Sequence, residues 1–98
     1  MTYKTKLKKI FEKHGVSKQL KKLSEEVFEL QEAIMTFQHS RVFTDVYIQD
    51  ITEEFADVMV VLNQIKEVYK LDENEIKYIM KLKIDRQCER DDIDAGNS

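Results

Sequence analysis

The segment Lys22–Ile34 reads Lys-Leu-Ser-Glu-Glu-Val-Phe-Glu-Leu-Gln-Glu-Ala-Ile, and its apolar positions decide the class of the fold. Leu23, Val27, Leu30 and Ile34 alternate between spacings of four and three, the period of an α-helix with one apolar face. Followed outward, the stripe takes in Leu20 and Phe37, which predicts a helix from about Ser17 to about Gln38. Ser17 is the expected cap, its hydroxyl accepting a free N–H of the first turn. Downstream, Ile51, Phe55, Val58, Leu62, Ile65 and Tyr69 repeat the pattern and predict a second long helix, from Asp50 or Thr52 to about Lys70. Met59, Val60 and Val61 widen its apolar surface. This helix is therefore expected to be buried on more than one side, at the centre of the fold or in a subunit interface.

The flanking segments follow the same period. Tyr3, Leu7, Ile10 and Phe11 share one face of a helix from about Thr2 to His14, which Gly15 stops. A last helix is expected from Asp72, as its cap, to Arg90, with Ile76, Ile79, Met80 and Leu82 turned inward. From His39 to Gln49 the pattern dissolves into β-branched and aromatic residues that suit a loop, a turn or a lid. Residues 91–98 have little to pack and are expected to fray. With no proline and only Gly15 and Gly96 to punctuate it, the chain reads as all-α. The expected fold is one domain over residues 1–90, a four-helix bundle around an antiparallel central pair. A 98-residue domain buries only part of its apolar surface, so completion by a second subunit is expected.

Composition removes several functions. A net charge of −3 does not suit broad binding of nucleic-acid polymers, which needs a basic surface to displace phosphate counterions. Cys88 is the single cysteine, which excludes an intramolecular disulfide and a tetrahedral cysteine zinc site. The lysine-rich start lacks the apolar core of a secretory signal, and no apolar run approaches the ~20 residues that span a bilayer. A cytoplasmic protein without a membrane partner is expected.

The chemistry is carried by carboxylates. Glu25-Glu26-Val27-Phe28-Glu29 in one long helix and Glu53-Glu54-Phe55-Ala56-Asp57 in the other are near copies. Residues three apart on a helix are surface neighbours, so Glu26 pairs with Glu29, and Glu54 with Asp57. At ~100° per residue, Glu26 lies roughly 70° and Glu29 roughly 130° from the centre of their apolar stripe, and Glu25 roughly 170°. Glu54 and Asp57 are offset by roughly 60° and 120° in the same sense, and Glu53 by roughly 160°. Glu25 and Glu53 thus face outward. Consecutive helices pack antiparallel, which brings flanks of like sense together, so the two inner pairs converge on one border of the seam.

Such motifs, taken singly, are common as solvated helix faces. Two of them at the same offset beside a buried stripe are not needed for solubility. Four converging carboxylates repel one another unless a cation joins them, and an all-oxygen set suits Mg²⁺, with Mn²⁺ as substitute. Di-iron bundles need Glu-x-x-His, and neither His14 nor His39 follows a glutamate by three.

Lys22–Ile34 followed by Ile51-Thr-Glu-Glu-Phe-Ala-Asp-Val-Met-Val-Val-Leu62 resembles the MazG family of nucleoside triphosphate pyrophosphohydrolases. The family signature is E-x-x-E, a spacer, then E-x-x-D; Glu26 and Glu29 match the first element, Glu54 and Asp57 the second, with 24 residues between. The resemblance implies a helical homodimer or homotetramer that hydrolyses a nucleoside triphosphate to the monophosphate and pyrophosphate, in a house-cleaning role. It also implies that the four carboxylates hold Mg²⁺ or orient the attacking water. Phosphoribosyl-ATP pyrophosphatase is a related alternative, and a non-catalytic helical adaptor is the rival outside enzymes.

Beyond the carboxylates, Gln19 and Lys22 lie on nearly the metal-facing side and are candidates for touching base or phosphate. Lys22, four residues before Glu26, is equally suited to a helix ion pair. Lys83, Arg86 and Arg90, three and four apart on the last helix, match family members whose last helix carries cations toward the phosphates. They also complement the helix macrodipole. His39 and Arg41 could reach substrate from the irregular connection, and Phe28 and Met35 suit base stacking or a subunit contact.

Overall fold

The computed structural model describes residues 1–40 and 45–93. They form four helices: α1 (Tyr3–His14), α2 (Val16–His39), α3 (Asp45–Val68) and α4 (Glu73–Arg90), with no strand among the described residues. None of the helices is long and apolar enough to cross a membrane.

Gly15 is the hinge between α1 and α2. Its φ of 83° lies in the left-handed region that favours glycine, and its N–H closes α1 on the Phe11 carbonyl at 2.9 Å. The same residue caps α2, which begins at Val16, so Ser17 already sits inside the first turn and provides no side-chain cap. That corrects the expected cap: with a one-residue connection there is no extended position left for a serine to occupy.

Helices α2 and α3 run antiparallel. Gln19 meets Gln64, Glu26 meets Glu54 and Asp57, and Phe37 meets Tyr47 edge-to-face at a centroid distance of 6.3 Å. The less exposed positions recur at Gln19, Leu23, Glu26, Leu30, Ala33 and Phe37 along α2 and at Tyr47, Ile51, Glu54, Val58, Val61 and Ile65 along α3, with Gln64 bonded across to Gln19, and we take these as the seam. Both sets alternate fours and threes, as knobs-into-holes packing requires. The stripes read from the sequence share only half of these positions. Leu20, Val27, Ile34, Phe55 and Leu62, expected in the core, are exposed on the outer flank, and Tyr69 is exposed beside Phe11 of α1. The seam is rotated away from the most apolar face toward one that includes glutamines and glutamates.

The rotation also explains why α3 starts at Asp45 and not at Asp50 or Thr52. Tyr47 falls on the seam one turn before Ile51, and its contact with Phe37 extends the pairing toward the connection. The Thr52 hydroxyl donates to the Ile48 carbonyl at 2.8 Å and so lies well inside the helix. Residues 41–44 of the connection lie outside the described residues.

α3 is central, packing on both α1 and α2. Leu7 and Phe11 of α1 are buried, the Phe11 ring standing edge-on to Tyr69 at 6.3 Å. Lys70 ends the following turn with φ 53°, and the Leu71 N–H returns to the Lys66 carbonyl at 3.0 Å. Asp72 caps α4, accepting the Glu75 N–H at 2.7 Å, and Glu73 pairs with Lys66. Beyond that junction α4 packs against none of the other helices. Only Ile76 and Cys88 are half-buried; Ile79, Met80 and Leu82, expected inward, are exposed. Within one chain the body is thus three helices with a fourth standing apart.

Candidate metal centre

Glu26 and Glu54 occupy seam positions that an ordinary helical pair fills with leucine, and Glu29 and Asp57 lie one turn further along each helix on the adjoining border. One carboxylate oxygen from each of the four comes within 4.8 Å of all the others. Burial divides the set. Glu26 is only 6% exposed and Glu54 half-buried, whereas Glu29 and Asp57 are open to solvent.

The inner pair is short of partners. Oε2 of Glu26 and Oε2 of Glu54 are both buried without a hydrogen bond, a state that costs a carboxylate its hydration with nothing in return. Oε1 of Glu26 is met by Lys22 Nζ at 3.0 Å. That bond, and then the charge of Glu26, raises the Lys22 pKa above its ordinary value. Glu54 is pushed above the usual carboxylate range by burial first, then by a hydrogen bond with Glu29 and the charges of Glu29, Asp57 and Glu26. The repulsion among the four groups thus falls most heavily on Glu54, whose affinity for a proton it raises. A divalent cation would relieve that repulsion for all four groups. The donor set, four carboxylates with two orphaned buried oxygens, fits a hard cation such as Mg²⁺ or Mn²⁺.

Beside the cluster, α1, α2 and α3 enclose a cleft of about 620 Å³. Its walls carry Ile10, Val60 and Val61, and Gln19 and Gln64 also line it. These two glutamines are 6% and 2% exposed, and Gln19 Nε2 donates to Gln64 Oε1 at 2.7 Å across the seam. Gln19, a candidate substrate contact from sequence, is thus first a buried seam residue that also borders the cleft. Lys22 makes the helix ion pair and lines the cleft as well.

Other sequence candidates lie elsewhere. Lys83, Arg86 and Arg90 sit on α4 and line neither the cluster nor the cleft; Arg90 donates to Gln87 Oε1 at 2.8 Å. His39 borders a separate shallow cavity with Tyr47, at the far end of α2. Phe28 and Met35 line a shallow groove on the outer face with Ile34, and Arg41 lies outside the described residues. Conversely, His14, Lys18, Lys21 and Gln64 line the cleft without having been singled out, and so does Glu25, which is exposed as expected but not remote. Gln64 had a legible signal: it stands seven residues after Asp57, two turns along the same face. Compared with known family models, curated proteins and solved structures, the chain matches none.

Proposed function

We propose that the chain is a MazG-like, divalent-metal-dependent hydrolase that cleaves a nucleoside triphosphate between the α and β phosphates, releasing the monophosphate and pyrophosphate. The observation that carries this reading is the convergence of Glu26, Glu29, Glu54 and Asp57, with two buried oxygens left unpartnered, beside a cleft large enough for a nucleotide. The four would hold Mg²⁺, with Mn²⁺ as substitute. When bound, such an ion neutralises charge on the phosphates and lowers the pKa of coordinated water. The chain's own contributions differ by depth. Glu26 and Glu54, fixed in the seam, serve as rigid ligands; Glu29 and Asp57, open to solvent, are the pair able to orient a water and take its proton.

The second part of the proposal is a homo-oligomer. Leu20, Val27, Ile34, Phe55 and Leu62 put an apolar flank on the outside of α2 and α3, and α4 covers none of it. A second copy, presenting the same flank, is the occupant whose chemistry matches.

A panel of canonical, deoxy and modified nucleoside triphosphates, assayed for pyrophosphate and for phosphate with Mg²⁺ or with chelator, tests the reaction. Pyrophosphate release that stops with chelator and with Glu54→Gln is the expected result. No turnover across the panel, together with no Mg²⁺-dependent rise in Tm, would sink the enzyme reading and leave a helical interaction module.

A further inference from the structure

Three lysines line the cleft beside the cluster. Lys18, Lys21 and Lys22 line it together with Glu25, Glu26 and Asp57; Lys22 is paired with Glu26 and Asp57 belongs to the cluster, which leaves Lys18 and Lys21 beside Glu25. Among the described residues Lys18 and Lys21 have no ion-pair partner. The first turn of α2, from which Lys18 projects, also has no side-chain cap, so its free N–H groups add partial positive charge at the same end.

The axial order is regular. At ~1.5 Å per residue, Lys22 and Lys21 stand roughly one turn from Glu26 toward Gly15, and Lys18 roughly two. A ligand anchored at the four carboxylates by a metal and extending toward the start of α2 would pass these three ammonium groups in succession. The part of a nucleotide that matches such a row is its chain of phosphates, and not the uncharged nucleoside.

We infer that Lys18 and Lys21, with Lys22, bind the β and γ phosphates and so hold the pyrophosphate leaving group, with the nucleoside directed to the opposite side of the cluster. The inference rests on the proposed triphosphate chemistry and gives that site a polarity. Lys22 has a double role, bridging Glu26 Oε1 and the phosphates, whereas Lys18 and Lys21 touch the phosphates alone.

The test uses the full chain loaded with Mn²⁺, with metal occupancy followed by electron paramagnetic resonance. Inorganic pyrophosphate and a nucleoside monophosphate are titrated separately by calorimetry into wild type and the Lys18→Gln/Lys21→Gln variant. Both lysines are exposed, and unchanged circular dichroism checks the fold. A charge-assisted contact to phosphate corresponds to about tenfold in affinity, so the variant should bind pyrophosphate at least ~10-fold more weakly. Its Mn²⁺ and monophosphate affinities should be unchanged. Pyrophosphate affinity retained within about twofold, or loss of the monophosphate instead, would overturn the inference while leaving the metal site standing. A wild type that takes up no Mn²⁺ would overturn the metal reading itself, and this inference with it.

Discussion

Glu54 concentrates the tension of the site in one side chain. Burial, its hydrogen bond with Glu29 and three neighbouring carboxylates raise its pKa, so the folded metal-free chain holds a proton more tightly than the unfolded one. The sign follows: this contribution to stability is fully present below the unfolded carboxylate pKa and is lost as pH rises through the raised folded value. Glu54→Gln mimics the protonated state at every pH. In chelator, the variant's Tm should therefore draw ahead of wild type as pH rises from acid to neutral, and excess Mg²⁺ should reverse the order. A gap that stays constant with pH would refute it. The variant should also bind Mn²⁺ more than ~10-fold more weakly, since loss of a ligand exceeds the usual effect of losing a supporting group. The Gln19–Gln64 pair makes a second test. Gln64→Ala leaves its partner buried and unpaired and should cost about 1–3 kcal/mol by chemical denaturation, while the double replacement Gln19→Leu/Gln64→Leu should recover most of that.

The turn that closes α3 sets Lys70 in the left-handed region, where a side chain costs about 1–2 kcal/mol and glycine does not. Lys70→Gly should stabilise the chain by about 1 kcal/mol, a rise in Tm of roughly 4–8 °C in a domain of this size. An unchanged or lower Tm would show that Lys70 does more than end a helix. The helices themselves were legible because the three-and-four spacing survives any rotation about the axis. Which face turns inward was not. Leu23, Leu30 and Phe37 belong to two candidate stripes at once, one completed by Leu20, Val27 and Ile34, the other by Gln19, Glu26 and Ala33. Hydrophobicity alone selects the first, and the chain uses the second, because the groups that meet across α2 and α3 are those of the candidate site. The carboxylate grouping survived that error. Glu26 and Glu54 sit closer to the axis of the seam than an offset of roughly 60–70° implies, which draws the two pairs together. Of the cleft lysines only Lys22 was legible; Lys18 and Lys21 read as a solvated face at the start of α2, because their neighbourhood to the cleft depends on α1, which folds back at Gly15 and lines it too.

At the scale of the whole molecule, three helices share a core whose buried apolar residues are only Leu7, Phe11, Val58 and Val61 among those described. So small a core cannot carry much of the fold alone. If a second copy covers the outer flank, the 11.7 kDa chain should sediment as a dimer or larger, and Leu62→Glu should shift it to monomer with a lower Tm. A wild type that stays monomeric at high concentration would remove the oligomer from the proposal. The buried glutamates have a last consequence. Because they stand where leucines would otherwise supply cohesion, the energy of filling the site and the energy of folding are drawn from the same seam. A ligand at a hundredfold excess over its Kd adds about 2.7 kcal/mol to the folded state. If the four carboxylates bind a divalent cation as proposed, the melting curve of this protein becomes a gauge of the free cation, and a chelator acts on it as a denaturant.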